Sequence, residues 1–272
     1  MDAVKLGPFL LPLGRLLVLL VLVILGLVAD LLARRVDKRL SAWGWNVGIA
    51  GLAAARIGFV LTHFSDYSRD LLGIFYVWQG GFSVWWGILG GAVYSLWFFR
   101  RERRLLRFTL VPPAVAGLVW LGANAVVAHL QTAPRAESAS LPALTLYRIE
   151  DGSSVDLGSF KGRPVVLNVW ATWCPPCRRE MPMMAEVAQQ NPGVVFVFAD
   201  QGEGPETVRA FLNTLPQKLS NVLLDPQQAV SRTQQIVGFP TTFFYDASGK
   251  RVGIQTGEVS RAVLSDYLRR IQ

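Results

Sequence analysis

Cysteine and histidine are scarce in this chain, with two of each among 272 residues. So thin a supply excludes a disulfide scaffold and leaves no ligand set for a structural zinc site, so no metal or other cofactor is expected. Disordered and collagen-like classes are excluded by a hydrophobic content of 51%. An excess of one charge is missing from the C-terminal half: residues 142–272 hold 13 Lys/Arg against 12 Asp/Glu. The net charge of +8 therefore belongs to residues 1–141, which hold 14 against 7. Nine of those 14 cations fall in two short clusters between apolar runs, where membrane proteins place their cytoplasmic loops, so nucleic acid is not an expected partner.

Long apolar runs are abundant in residues 1–130, at about 10–29, 43–64, 82–99 and 108–130. About 20 such residues cross a hydrocarbon core of about 30 Å, so four spans are expected. The first lacks a basic leader and a small-residue cleavage site and is read as a permanent anchor. Arg34, Arg35, Lys38 and Arg39 follow the first run, and Arg100, Arg101, Arg103, Arg104 and Arg107 separate the third and fourth. Both clusters should be cytoplasmic, which places the N-terminus and everything after residue 130 outside. The expected location is a bacterial inner membrane with the C-terminal half in the oxidising periplasm. Arg56 lies within the second run, as a lipid-contact candidate or a side chain snorkelling toward His63 and Asp66. Gly44, Gly48, Gly51, Gly87 and Gly91 are spaced for close helix packing.

Gly7-Pro8, LLARRVDKR, ARIGFVL (55–61) and VWQGGFSVWWGILGG (77–91) resemble the N-terminal half of prolipoprotein diacylglyceryl transferase, a polytopic enzyme that lipidates prolipoprotein cysteines. The chain departs from that pattern at Trp85-Trp86, where the family has a His-Gly pair, and at Gly14, where an aromatic residue is usual. The family's later signature segment and remaining spans have no counterpart. The resemblance implies a shared fold fragment rather than a shared reaction, with a membrane half that binds lipid or prolipoprotein and presents it to the redox domain as an alternative reading, and residual transferase activity is not expected.

QTAPRAESAS is small, polar and aperiodic, so residues 131–141 are read as a linker. Residues 142–272 then alternate short β-branched runs with amphipathic segments. Strands are expected at 164–170, 194–199, 221–224, 241–246 and 251–256, and helices at 175–190, 205–215, 226–236 and 260–271. Such alternation with a terminal hairpin and helix predicts an α/β domain, a central mixed sheet flanked by helices. WCPPC (173–177) falls where the first of these strands gives way to a helix. A helix start offers free N–H groups and partial positive charge, which favour thiolate at Cys174, and Cys177 is near enough to resolve a mixed disulfide. Pro175 and Pro176 carry no N–H, so the sulfur has fewer donors than usual, which tilts the pair toward a reductant.

FKGRPVVLNVWATWCPPCRREMP and the later VGFPTTFFYDASGK resemble the TlpA-like branch of the thioredoxin superfamily, membrane-tethered periplasmic thiol-disulfide oxidoreductases. The resemblance implies Cys174 as exposed nucleophile, Cys177 as resolving thiol, Trp173 as a flanking ring and Pro240 as a cis-proline facing the cysteines. It also implies that Phe239 and Thr241 bind the substrate strand. Thioredoxins carry a buried aspartate where this chain has Asn168, so another base is needed, and Glu203 is the candidate, against a reading as a solvated loop carboxylate. The expected function is a membrane-anchored disulfide reductase, with a thiol oxidase or isomerase as the alternative. Its partners would be a disulfide-bearing periplasmic or secreted protein, an external thiol donor such as a DsbD-type transporter, and membrane lipid.

Overall fold

A computed structural model describes residues 3–6, 9–68, 71–131 and 140–272. Apart from its ends, the expected linker lies outside the described residues. The chain divides into a helical unit, built on Leu13–Val77 and Gly81–Ala133, and a second unit that holds Pro134–Gln272. A short hairpin at the N-terminus, β1 (Ala3–Leu6) with β2 (Phe9–Pro12), was not expected from the sequence.

In the helical unit α1 spans Leu13–Arg35, α2 Arg39–Thr62, the single turn α3 Phe64–Tyr67, α4 Val84–Arg101 and α5 Val111–Gln131. The Leu/Val run of α1 contains no proline, and Arg34 and Arg35 in its last turn oppose the negative end of the helix dipole. Among the described residues three helices are long and apolar enough to cross a membrane: Leu13–Arg35, Arg39–Thr62 and Arg103–Val127. The third expected span, 82–99, falls on α4, which is not among these three: its 18 residues include three tryptophans and end in Arg100-Arg101, which dilutes its apolar character. It nevertheless packs along α2. At one end a Cβ on Gly58 would come within 1.9 Å of Trp86, and at the other Trp43 meets Phe99 at 5.4 Å and donates to Ser95 Oγ at 3.2 Å. With Arg39 and Glu102 ion-paired, the α1–α2 turn and the C-terminus of α4 lie at the same end of the helices.

Arg56 is half-buried. Its guanidinium donates to the carbonyls of Gly73, Ile74 and Gly81 at 2.9–3.1 Å and lies over the rings of Tyr67 and Phe82. A cation in an apolar helix is costly, and loop carbonyls relieve that cost, so Arg56 shapes the segment between α3 and α4.

The second unit is a seven-stranded mixed sheet in the order β4-β3-β7-β6-β5-β8-β9. Its elements are β3 (Thr145–Arg148), β4 (Ser154–Asp156), β5 (Val165–Trp170), α6 (Pro175–Gln190), β6 (Val195–Gln201), α7 (Pro205–Leu212), β7 (Val222–Asp225), α8 (Ala229–Thr233), β8 (Thr241–Tyr245), β9 (Arg251–Thr256) and α9 (Arg261–Ile271). Strands β5, β6 and β7 are parallel neighbours and the other pairings are antiparallel. The edge hairpin β3–β4 was not foreseen. Helix α8 is shorter than the expected 226–236 because Gln228 and Gln235, at its two ends, take left-handed backbone angles. Strand β5, the middle of β6–β5–β8, is buried at all six positions, which fixes where its C-terminal end delivers the following turn.

Candidate active site at the start of helix α6

The chain leaves β5 at Trp170, turns through Ala171–Trp173 and enters α6 with Cys174 as the N-cap residue. Pro175 and Pro176 occupy the first two helical positions, where a missing N–H costs nothing. The first main-chain donor is therefore that of Cys177, which points at Cys174 Sγ at 3.3 Å. The two cysteines are joined as a disulfide with Cα atoms 5.3 Å apart. Neither sulfur stands out in solvent: Cys174 is 3% exposed and Cys177 fully buried, which corrects the expectation of an exposed Cys174 in this oxidised form. What is exposed beside them is Trp173, at 64%, its ring edge-on to Phe239 at 5.7 Å.

The Phe239–Pro240 peptide is cis, and Pro240 is buried. The Pro240 carbonyl accepts the Gly257 N–H at 2.9 Å, so it is already occupied. Thr241, expected to bind the substrate strand, follows Pro240 at the start of β8. Its side chain is buried and its hydroxyl donates to the Gly238 carbonyl at 2.7 Å, so it braces the loop from within.

Two carboxylates flank the turn. Glu203, after β6, accepts both the N–H and the hydroxyl of Thr172, so it grips the residue two before Cys174 and is no free loop carboxylate. Its own N–H donates to Asp200 Oδ2 at 3.0 Å. Glu180, which the sequence reading passed over, lies one turn along α6 from Cys177 and is 2% exposed. It accepts from Asn168 Nδ2 at 2.8 Å and from the Val259 N–H at 2.9 Å. Burial pushes its carboxyl up to about 8 against the pull of those two hydrogen bonds. Asn168 also donates to Thr242 Oγ1 at 3.0 Å. The spacing Cys177-Arg-Arg-Glu180 was the available signal, since a residue three positions along a helix lies above the first.

A dithiol that can close into a disulfide at a helix start, beside a cis-proline loop on a mixed sheet, defines the class of thioredoxin-like thiol-disulfide oxidoreductases. The comparisons agree: the Redoxin family model matches residues 136–269, and the prolipoprotein diacylglyceryl transferase model matches residues 3–126. Thiol-disulfide oxidoreductase ResA of Bacillus subtilis (strain 168) is 30% identical over 176 residues, covering 64% of this chain and 96% of that protein. ResA of Bacillus thuringiensis subsp. konkukian (strain 97-27) is 33% identical over 123 residues, 44% of this chain and 70% of that protein. A solved thiol:disulfide interchange protein of the thioredoxin family from Chlorobium tepidum TLS is 28% identical, covers 49% of this chain and 95% of that one, and has a TM-score of 0.44. The chain belongs to the ResA family of thiol-disulfide oxidoreductases, here joined to a diacylglyceryl transferase-like helical segment.

Proposed function

We propose that this chain is a membrane-anchored disulfide reductase working on the periplasmic face through Cys174 and Cys177. The observation that carries the direction is the pair of prolines at the first two positions of α6, which leaves one N–H directed at the Cys174 sulfur. A thiolate with few donors is less stabilised, and a dithiol with a less stable reduced form gives up its electrons more readily. Cys174 thiolate attacks one sulfur of the substrate disulfide, and the other leaves and takes up a proton. Cys177 then gives up its proton and attacks Cys174 Sγ, so the substrate departs reduced and the pair is oxidised by two electrons. Glu180, with an affinity for protons near neutrality, is the group placed to take the proton of Cys177. Phe239, before the cis bond, offers main-chain groups for a substrate strand, and Trp173 covers one side of the sulfur pair.

Residues 1–173 contain no cysteine, so the membrane half cannot relay electrons by thiol exchange. An external thiol donor of the DsbD type must return them. The antiparallel packing of α4 along α2, with both basic clusters at one end, supports four spans and a periplasmic redox unit. The match to the transferase model over residues 3–126 favours a second role for the helical unit, a platform that holds lipid or prolipoprotein near the dithiol.

The test is a Cys177→Ser trap in cells, which leaves the mixed disulfide at Cys174 unresolved. Exported proteins should be recovered joined to Cys174. Recovery of cytosolic proteins alone, or labelling of Cys174 only from the cytosol, would overturn the location. A dithiol potential as oxidising as the strong periplasmic oxidants would overturn the direction.

A further inference from the structure

We propose that Asp200 is a positioning residue for the dithiol, setting through Glu203 and Thr172 how readily the Cys174 sulfur ionises. The proposal rests on the reading of Cys174 as the attacking sulfur.

Asp200 lies near the C-terminal end of β6, in register with Trp170 of β5 and Leu224 of β7, and is fully buried. One carboxyl oxygen, Oδ2, accepts the Glu203 N–H, while Oδ1 is buried with no hydrogen-bond partner among the described residues. The carboxylate of Glu203 in turn holds the N–H and hydroxyl of Thr172. The Cys174 N–H bonds to Ala171 within the same turn. A short chain of hydrogen bonds therefore runs from a buried carboxyl to the residue two before the reactive sulfur.

Among the described residues the surroundings provide no balancing cation. From the loop after β6 the charged neighbour is Glu203, another acid. Asp225 at the end of β7 is turned to the N–H groups of Ala229 and Val230. On α7, Glu206 and Arg209 pair with each other. On α6, Arg178 lies over Phe211, whose ring packs on Trp170. Burial first, and then Glu203, push the Asp200 carboxyl up to about 7. Below that pH Asp200 is neutral. Above it a negative charge appears at the foot of the hydrogen-bond chain, weakens the hold of Glu203 on Thr172 by repulsion and makes ionisation at Cys174 less favourable. Exchange by Cys174 then climbs with pH less steeply than ionisation of a lone thiol would make it.

The experiment uses the reduced full chain in lipid nanodiscs and a small uncharged disulfide, 2,2′-dithiodipyridine, with rates taken from pH 5 to 9. Asp200→Asn keeps the acceptor for Glu203 N–H and removes the charge. Its profile should converge with the wild type below pH 6 and run about two- to fivefold faster at pH 7.5, the effect of half to one pK unit on an ordinary thiol of pKa about 8.5. Parallel profiles, or a variant slower at alkaline pH, would overturn the proposal. Because the variant can fail to fold, the carboxyl carbon of Asp200 is also followed by NMR in the reduced wild type. A titration near neutrality is expected, and one in the ordinary aspartate range overturns the proposal whatever the variant does. A wild type that exchanges at no pH while Cys174 is reduced and accessible defeats the reading of Cys174, and the role given to Asp200 with it.

Discussion

The two halves of this chain treat their large apolar side chains differently. In the helical unit Ala29, Ala33, Ala55, Gly44 and Gly58 are buried beside one small cluster of Leu40, Trp43, Phe99 and Leu105, while Leu31, Ile49, Ile57, Leu118 and Leu121 are left exposed. In the sheet unit Val166, Leu167, Phe243, Phe244 and Tyr245 are fully buried. The difference follows from the solvent. Lipid tails are as apolar as leucine, so helices in a bilayer gain by close backbone approach, whereas water drives large apolar side chains inward. A Cβ on Gly44 would lie 2.3 Å from that of Ala29, which shows how tightly α1 and α2 meet.

The sharpest way to separate the halves is Cys174→Ser. Exchange with any disulfide should fall to background, while expression, membrane insertion and helix content stay as they are. A residual rate near that of the wild type would remove the dithiol from the mechanism. Leu167→Ala against Leu118→Ala comes next. The first opens a cavity beneath the sheet and should cost about 2–5 kcal/mol, measured by denaturant or thermal unfolding of the redox unit. The second removes an apolar surface that faces lipid and should change stability by under about 1 kcal/mol. Equal costs would break the comparison. Gly58→Leu should separate α2 from α4, because the added side chain meets Trp86, and should lower yield and helix packing in the membrane. Exchange by the redox unit in the surviving protein should remain within about twofold of wild type, since none of its catalytic groups is on these helices. These effects are read by thermal aggregation in detergent and by a dithiol assay.

Much of the redox unit was legible because its signals are local. The strand β9 matches the expected 251–256, α6 matches 175–190, and the turn into WCPPC follows from a buried strand meeting two prolines. The edge hairpin β3–β4 was not legible, since three- and four-residue strands are too short for alternation to register. Glu180 was missed for a different reason. Its two partners, Asn168 on β5 and the Val259 N–H ahead of α9, lie far apart in sequence, and only the folded domain brings them to it. Arg56 was located correctly in an apolar helix, but the carbonyls that receive it were not foreseen, because they belong to an irregular segment whose path no periodicity describes. In the helical unit the runs were visible and the number of spans was not, since α4 owes its place to packing against α2 more than to hydropathy.

The smallest effect separates the halves by pH. Glu180 and Asp200 are raised to about 8 and about 7 in the folded redox unit, whereas an unfolded carboxyl titrates near 4. Between those limits the native state holds more protons than the unfolded one, so stability falls as pH rises. The contribution is complete below about pH 4 and lost as pH climbs through 7 to 8. Asp151 and Asp246, both exposed and held low chiefly by hydrogen bonds from Ser153 and Ser248, act in the reverse direction only in more acid solution. The redox transition in a thermal melt of the full chain should therefore move down by several degrees between pH 5 and 8, at roughly 4 °C per kcal/mol for a unit of this size. Glu180→Gln together with Asp200→Asn should flatten that slope, because neither replacement can carry the proton. A transition that rises with pH in the wild type would mean that these carboxyls are already ionised in the folded state, and that the proton for Cys177 must go elsewhere.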